Sequence, residues 1–244
     1  MAQEPHRRDR RALNDVAASQ GEHEAIPAAT VVVLRSPETG PGLQVLMLHK
    51  HTGHAFGGMW VFPGGRVDPG DGADGDGDLD RARHAAVREA AEEAGVVIAP
   101  DDLVPFAHWT PPPEAPRRFA TWFFVTEARD VRGIVVDGGE IRDHTWVAPD
   151  EALERHAKAE IELATPTWMT LHRLQRWDSP AAAVDAVRDG EVTYYETRIA
   201  AADGALVAMW EGDAGYPSGD PGIPGRRNRL LMRQGTAWSY ERTV

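Results

Sequence analysis

The stretch that decides the fold runs Arg88-Glu89-Ala90-Ala91-Glu92-Glu93-Ala94-Gly95. On a helix, residues three and four apart are neighbours, so Glu89 faces both Glu92 and Glu93, and each like-charge pair costs roughly 0.2–0.5 kcal/mol. Gly95 reads as the helix stop, which puts Glu92 and Glu93 in the last turn. At that negative end of the helix dipole each acid costs about another 0.3–1 kcal/mol. The total, about 1–3 kcal/mol, is a large share of a marginal stability. A solvated acidic face explains an arbitrary stretch of this kind; a bound divalent cation explains one whose flanks are also specialised.

The upstream flank is specialised. Phe62-Pro63-Gly64-Gly65-Arg66-Val67-Asp68 is an apolar strand end running into a glycine turn. Such a turn followed by Arg-Glu-x-x-Glu-Glu-x-Gly resembles the signature of the Nudix hydrolases. That signature reads Gly, five residues, Glu, seven residues, Arg-Glu, an apolar residue, any residue, Glu-Glu, any residue, Gly and an apolar residue. Its second half matches from Arg88 to Val96, with Ala90 in the apolar position. Its first half is interrupted. Counting forward from Gly65 the acid falls at Asp71, and counting back from Arg88 it falls at Asp80, an insertion of nine residues (80 minus 71). Both are Asp where the family has Glu, and either is a candidate for that position.

The insertion, Gly70 to Asp80, alternates Asp and Gly, a composition that suggests a calcium loop of the EF-hand kind. Counted from Asp74, the third and fifth positions are Asp76 and Asp78, but the sixth is Leu79 instead of Gly and the twelfth is Ala85 instead of Glu. The pattern fails. A flexible acidic loop is the better reading, with Asp78 or Asp80 capping the helix that follows. An insertion here is similar to the coenzyme A diphosphatase-like branch of the family. That branch has a basic, hydroxyl-rich motif before the glycine turn. In this chain the Gly58 to Phe62 spacing matches, whereas the expected arginines are His49 and His54, leaving Lys50 as the firm cation.

The chain has 244 residues, 42% hydrophobic, with a formal charge of −12 and no cysteine. That length holds one large domain or a domain with appendages. The charge argues against a general nucleic-acid or membrane surface, so a phosphate ester needs local cations or metal. Without cysteine, disulfides and a thiol nucleophile are excluded. No apolar run approaches the about 18 residues of a membrane helix. The arginine-rich start lacks a secretory apolar region and the end is not a peroxisomal address, so a cytoplasmic location is expected.

Residues 1–25 read as a disordered arm. Strands are expected at 28–34 and 43–48 (a hairpin), 59–62, 103–109, 119–126 and 144–147, with the motif helix over 79–94 and a second helix opening at Pro149. Ala82, Ala86 and Ala90 form a small-residue stripe on which a sheet can lie closely. The implied fold class is α/β, a Nudix-type α/β/α sandwich with a mixed sheet, over about 26–160. Residues 161–244 read as a C-terminal extension: helices at 166–177 and 180–189, strands at 192–199 and 205–210, then a Gly/Pro-rich stretch. Its expected roles are to cover the site, extend the sheet or build a homodimer interface.

The resemblance implies magnesium or manganese as cofactor, held by Glu89, Glu92 and Glu93, with Arg88 steadying a glutamate. Magnesium takes few carboxylates, keeps waters and binds substrate phosphates. Gly64 and Gly65 permit a tight backbone path beside it. The general base is either Glu140, on the Gly138-Gly139-Glu140 loop, or Glu89; the bland reading of Glu140 is a solvated side chain. His49, His51 and His54 are close in sequence but read as separate surface histidines, since no nearby acid or thiol completes a metal site. Lys50, and Arg117 or Arg118 on the proline-stiffened 109–119 loop, are candidate anion binders; Trp109 is a candidate stacking residue or a structural one. The expected activity is hydrolysis of a pyrophosphate bond in a nucleoside diphosphate linked to another moiety, coenzyme A or acyl-coenzyme A first. Nucleotide sugars, dinucleotides and modified nucleoside triphosphates are the alternatives. The rival of another class is a catalytically silent ligand sensor.

Overall fold

The structure, a computed structural model, describes residues 24–243 apart from 54, 129–132 and 137. The arm and His54 therefore lie outside the described residues, save Glu24 and Ala25. The core begins with two long apolar strands, β1 (Ile26–Arg35) and β2 (Gln44–Lys50). They meet as an antiparallel pair only at Leu34↔Val45 and Arg35↔Gln44. Beyond that they splay, because short strands β3 (Trp60–Val61) and β4 (Gly64–Arg66) pair with β2 and β1 respectively. The glycine turn thus carries a ladder of its own, with Gly65 opposite Ala29 and Gly64 opposite Thr30.

The motif helix, α1 (Asp78–Ala94), ends at Gly95 in the left-handed region (φ 66°), where the amides of Gly95 and Val96 close on Ala91 and Ala90. Its start corrects the capping expectation. Gly77 is the N-cap and no side chain caps it; Asp78 and Asp80 sit inside the first turn, where the dipole still favours acids. The alanine stripe is buried as expected and extended by Ala85 and Ala94. It lies on the sheet face carrying Ala29, Val31, Val33 and Phe124.

After a 3-10 turn (Pro100–Asp102) come β5 (Val104–Thr110), β6 (Phe119–Glu127) and β7 (Ile141–Val147). Strand β6 runs parallel to β1 and antiparallel to β5, while β7 lines the edge of β2 away from β1. Helices α2 (Pro149–Ala157), α3 (Thr165–Leu174) and α4 (Pro180–Arg188) bury Ala152, Trp168, Leu171, Ala183 and Val184 on the opposite sheet face, with Val32, Leu34 and Phe123. The fold is mixed α/β with helices on both faces of the sheet.

The segment expected as one strand over 192–199 is two. Strand β8 (Thr193–Glu196) joins β5 in parallel and closes the edge of the eight-stranded sheet. Strand β9 (Arg198–Ala202) belongs to a second, four-stranded antiparallel sheet with β10 (Ala205–Met209), β11 (Asn228–Arg233) and β12 (Ser239–Arg242). The switch falls at buried Thr197: its amide donates to Thr110 O while its hydroxyl accepts from Trp210 Nε1. The second sheet is pinned by a buried pair in which Arg229 Nε and Nη2 donate to Asp213 at 2.7 and 2.6 Å.

Ala86 is fully buried between α1 and the sheet, so Ala86→Leu overpacks that layer and is expected to lower stability by about 1–3 kcal/mol in urea denaturation. An unchanged midpoint would mean that the helix stands off the sheet.

Candidate active site

The site is built where the C-terminal half of α1 meets the glycine turn. Gly65 has no room for a side chain, since a Cβ there would fall on the Glu89 carboxyl group. Gly64 is equally confined by the backbone of Ala29 and Thr30, and its amide donates to Glu93 Oε2 at 2.9 Å. The two glycines therefore let the backbone press against two of the motif acids.

Arg88 connects most of the rest. Its Nε and Nη2 donate to the two carboxylate oxygens of Asp71 at 2.9 and 3.0 Å. Nη2 also donates to Arg66 O at 3.0 Å, and Nη1 to Glu89 Oε1 and Glu92 Oε2 at 2.9 and 3.0 Å. The acid counted forward from the glycine turn is thus the one that meets the motif helix. Asp80 is exposed and lines a separate open hollow of about 500 Å³ with Asp76, Arg83, His84 and Arg188. None of the motif glutamates lines that hollow. Burial alone raises the Asp71 carboxyl, but Arg88 and the Asp68 amide overcome it and hold Asp71 below the usual range.

Lys50 is the second cation. It is buried, with Nζ 3.2 Å from Glu93 Oε1 and 2.5 Å from Glu140 Oε1. Glu140, half-exposed and just before β7, is thereby brought within one lysine of the motif helix. Desolvation pushes Glu93 up to about 7, against the opposing pull of Lys50 and the Gly64 amide. Burial, reinforced by Glu92 and opposed by Arg88, also raises Glu89.

Other sequence candidates fall elsewhere. Trp109 is no base platform: it is buried, stacked on Tyr195 at 3.9 Å and edge-on to Trp210. Strand alternation could have shown this, because Trp109 stands two residues from Ala107 and faces the same core, whereas Phe106 joins that core only through the bulge between Pro105 and Ala107. Arg118 turns back on its own loop, donating Nη2 to Pro111 O at 3.3 Å, and Arg117 is exposed. His49 stacks on Trp60 at 5.0 Å with Nε2 3.3 Å from Gly58 O. The sequence offers Asp71 and Asp80 equally for the position of the first motif glutamate; that Asp71 is the one bonded to Arg88 depends on the loop geometry.

Do these groups suit a divalent cation? Among the described residues no three His, Asp or Glu side chains converge tightly enough to hold one as they stand, because Arg88 and Lys50 sit among them. The donor chemistry nevertheless fits a hard ion. Among the described residues six carboxylates (Asp68, Asp71, Glu89, Glu92, Glu93 and Glu140) lie against two cations, Arg88 and Lys50. Glu89 Oε1 and Glu92 Oε2 already share one nitrogen, Arg88 Nη1, so their oxygens come together at a positive centre.

A family profile described as the NUDIX domain matches residues 25–165. The chain belongs to the NUDIX family. The matched NUDIX segment contains every element that contributes to the site. "Putative nudix hydrolase 7" of Caenorhabditis elegans is 28% identical over 55% of this chain. The match spans 58% of that relative's length, less than two thirds of it. The crystal structure of a NUDIX hydrolase from Alicyclobacillus acidocaldarius covers 69% of this chain and 99% of its own, at 23% identity and a TM-score of 0.59. That likeness speaks for the fold alone. No helix among the described residues is long and apolar enough to cross a membrane.

Two predictions follow from this geometry. Asp71→Asn should cost about 1–3 kcal/mol, as charge-assisted hydrogen bonds to Arg88 are lost. Asp80→Asn should stay within about 0.5 kcal/mol of wild type; equal effects in denaturation would refute the assignment of Asp71. The second concerns pH. Burial pushes Glu93 from an ordinary 4.5 up to about 7 in the folded protein, so the folded state binds the extra proton. The stabilisation is fully present below about 4.5 and is lost as pH rises through about 7. In EDTA, Glu93→Gln should remove that part of the pH dependence, and superimposable wild-type and mutant profiles would contradict the burial argument.

Proposed function

We propose that the protein is a magnesium- or manganese-dependent hydrolase that cleaves the pyrophosphate bond of a nucleoside diphosphate linked to another moiety. One observation carries the reading: an excess of carboxylates, gathered by Arg88 and Lys50 around a glycine turn, on a chain of the NUDIX family. Glu89, Glu92 and Glu93 would hold the ion. Bound there, it supplies charge neutralisation on phosphate oxygens and an acidified water.

The chain's own side chains then have separate tasks. Arg88 fixes the spacing of Glu89 and Glu92 and anchors both to the Asp71 loop. Lys50 orients Glu93 and Glu140 together and presents positive charge where a phosphate would approach. Glu140 takes the proton from the attacking water as general base, with Glu89 as the alternative. Arg117, on the loop before β6, is free to meet an anionic part of a substrate from the exposed side.

Coenzyme A or an acyl-coenzyme A is the first substrate to test, on the strength of the insertion between turn and helix. Against it, His49, in place of an expected arginine, is engaged with Trp60 and the Gly58 carbonyl. Nucleotide sugars, dinucleotides and modified nucleoside triphosphates therefore belong in the same panel, with products read by mass spectrometry. No turnover of any of them, with ligand binding retained, is the outcome that favours a silent sensor.

Glu92→Gln and Glu93→Gln are each expected to lower turnover at least about 100-fold with the fold intact. Glu140→Gln is expected to lower it roughly 10²–10⁴-fold with little change in manganese affinity, whereas Glu89→Gln weakens manganese binding as well. If Glu140→Gln leaves the rate and its pH profile unchanged, the base belongs to α1.

A further inference from the structure

The loop between β2 and β3 holds an aromatic side chain in an unusual way. Phe56 has φ of 59°, in the left-handed region that non-glycine residues avoid, and it is 47% exposed. Its neighbours leave it little choice. Gly57 is pressed so closely on His51 O and the backbone of Thr52 that a Cβ could not fit. Gly58 is itself at φ 87°, and Met59 closes the turn by donating to Phe56 O at 3.0 Å. The turn is stapled to β2, with Lys50 N donating to Met59 O and Gly58 N to Lys50 O. A strained backbone that keeps a large apolar ring in solvent is unfavourable on both counts, and such positions cluster at ligand sites.

The ring is not isolated. Its centroid lies 6.1 Å from that of Phe119, and the Arg66 guanidinium lies 5.9 Å from the Phe119 ring. Arg66 is also the residue whose carbonyl receives Arg88 Nη2, and Lys50 at the base of the Phe56 turn touches Glu93 and Glu140. The two rings and one cation thus stand at the rim of the carboxylate cluster, joined to it from both sides.

We propose that Phe56 and Phe119 form the surface on which the nucleobase of the substrate stacks, with Arg66 beside it for the phosphate chain, making Phe56 a specificity-determining residue. This rests on the nucleoside diphosphate reading above. Stacking on an aromatic side chain accepts any base, since every base has a π-face. The Phe119 ring is fixed by β6, while Phe56 supplies the exposed face.

The test is calorimetric binding, with magnesium, of ADP and of methylenediphosphonate, which has the two phosphorus centres but no base. Wild type should bind ADP more tightly than methylenediphosphonate. Phe56→Gly and Phe119→Ala should each weaken ADP about tenfold or more and leave methylenediphosphonate unchanged, and Phe56→Trp should restore ADP binding. Because glycine tolerates the left-handed conformation, Phe56→Gly should also melt at or above the wild-type temperature, separating a binding role from a structural one. ADP binding unchanged in Phe56→Gly, or equal losses for both ligands, overturns the proposal. Wild type that binds methylenediphosphonate but no more tightly ADP overturns it while leaving the hydrolase reading standing. Wild type that binds neither ligand overturns both.

Discussion

A planar cation with five donors is what the site is arranged around. Arg88 divides those donors among the inserted loop, the glycine turn and its own helix. The Nε/Nη2 fork matches a carboxylate with two parallel bonds, a geometry that a lysine's point charge cannot reproduce. Because the same guanidinium holds Asp71 and the Arg66 carbonyl, the path of the chain into the insertion and the register of β4 are set by one group. Because its remaining nitrogen bridges Glu89 and Glu92, that group also sets how far apart two acids of like charge stand.

Lys50 complements this arrangement from the other side of the cluster. It lies at the end of β2, so the strand that pairs with β7 also delivers the cation that Glu140 meets. The repulsion that the sequence suggests along α1 is therefore partly offset within the protein, by two internal cations. What remains is an imbalance, six carboxylates to two cations, and Glu93 registers it as a carboxyl that burial makes hard to ionise.

The helices and most strands of the NUDIX segment were legible because their apolar periods are long and their boundaries marked by Gly and Pro; β4 was not, since Gly64–Arg66 reads as a turn and is a strand only by pairing with β1. The motif helix was read to within one residue at its start, and its end at Gly95 was read from the residue itself. Three further things were not legible. The cap of α1 was misassigned because two aspartates in the first turn look like caps, while the extended residue is Gly77. The break at Thr197 was hidden because an uninterrupted strand-forming run can serve two sheets in succession, and only the positions of Thr110 and Trp210 reveal the handover. Strands β11 and β12 form a hairpin after a Gly/Pro-rich stretch, and β11 pairs back across that stretch to β10. In the site, residue types announced the carboxylates, but the choice of Asp71 over Asp80 and the meeting of Lys50 with Glu140 are long-range facts, of a kind that spacing in one sequence does not contain.

Strand β8 lies beyond the NUDIX match, which stops at 165, yet it is hydrogen-bonded along β5 inside the matched segment. A chain shortened to the matched residues would leave the β5 amides and carbonyls from Ala107 to Thr110 as a bare sheet edge, and would strip Tyr195 from the face of Trp109. An unpaired, hydrophobic edge of that kind is a template for pairing with other chains. The stretch that most resembles a self-contained unit is thus the one most prone to aggregate when isolated, and the last third of the protein acts as its edge guard.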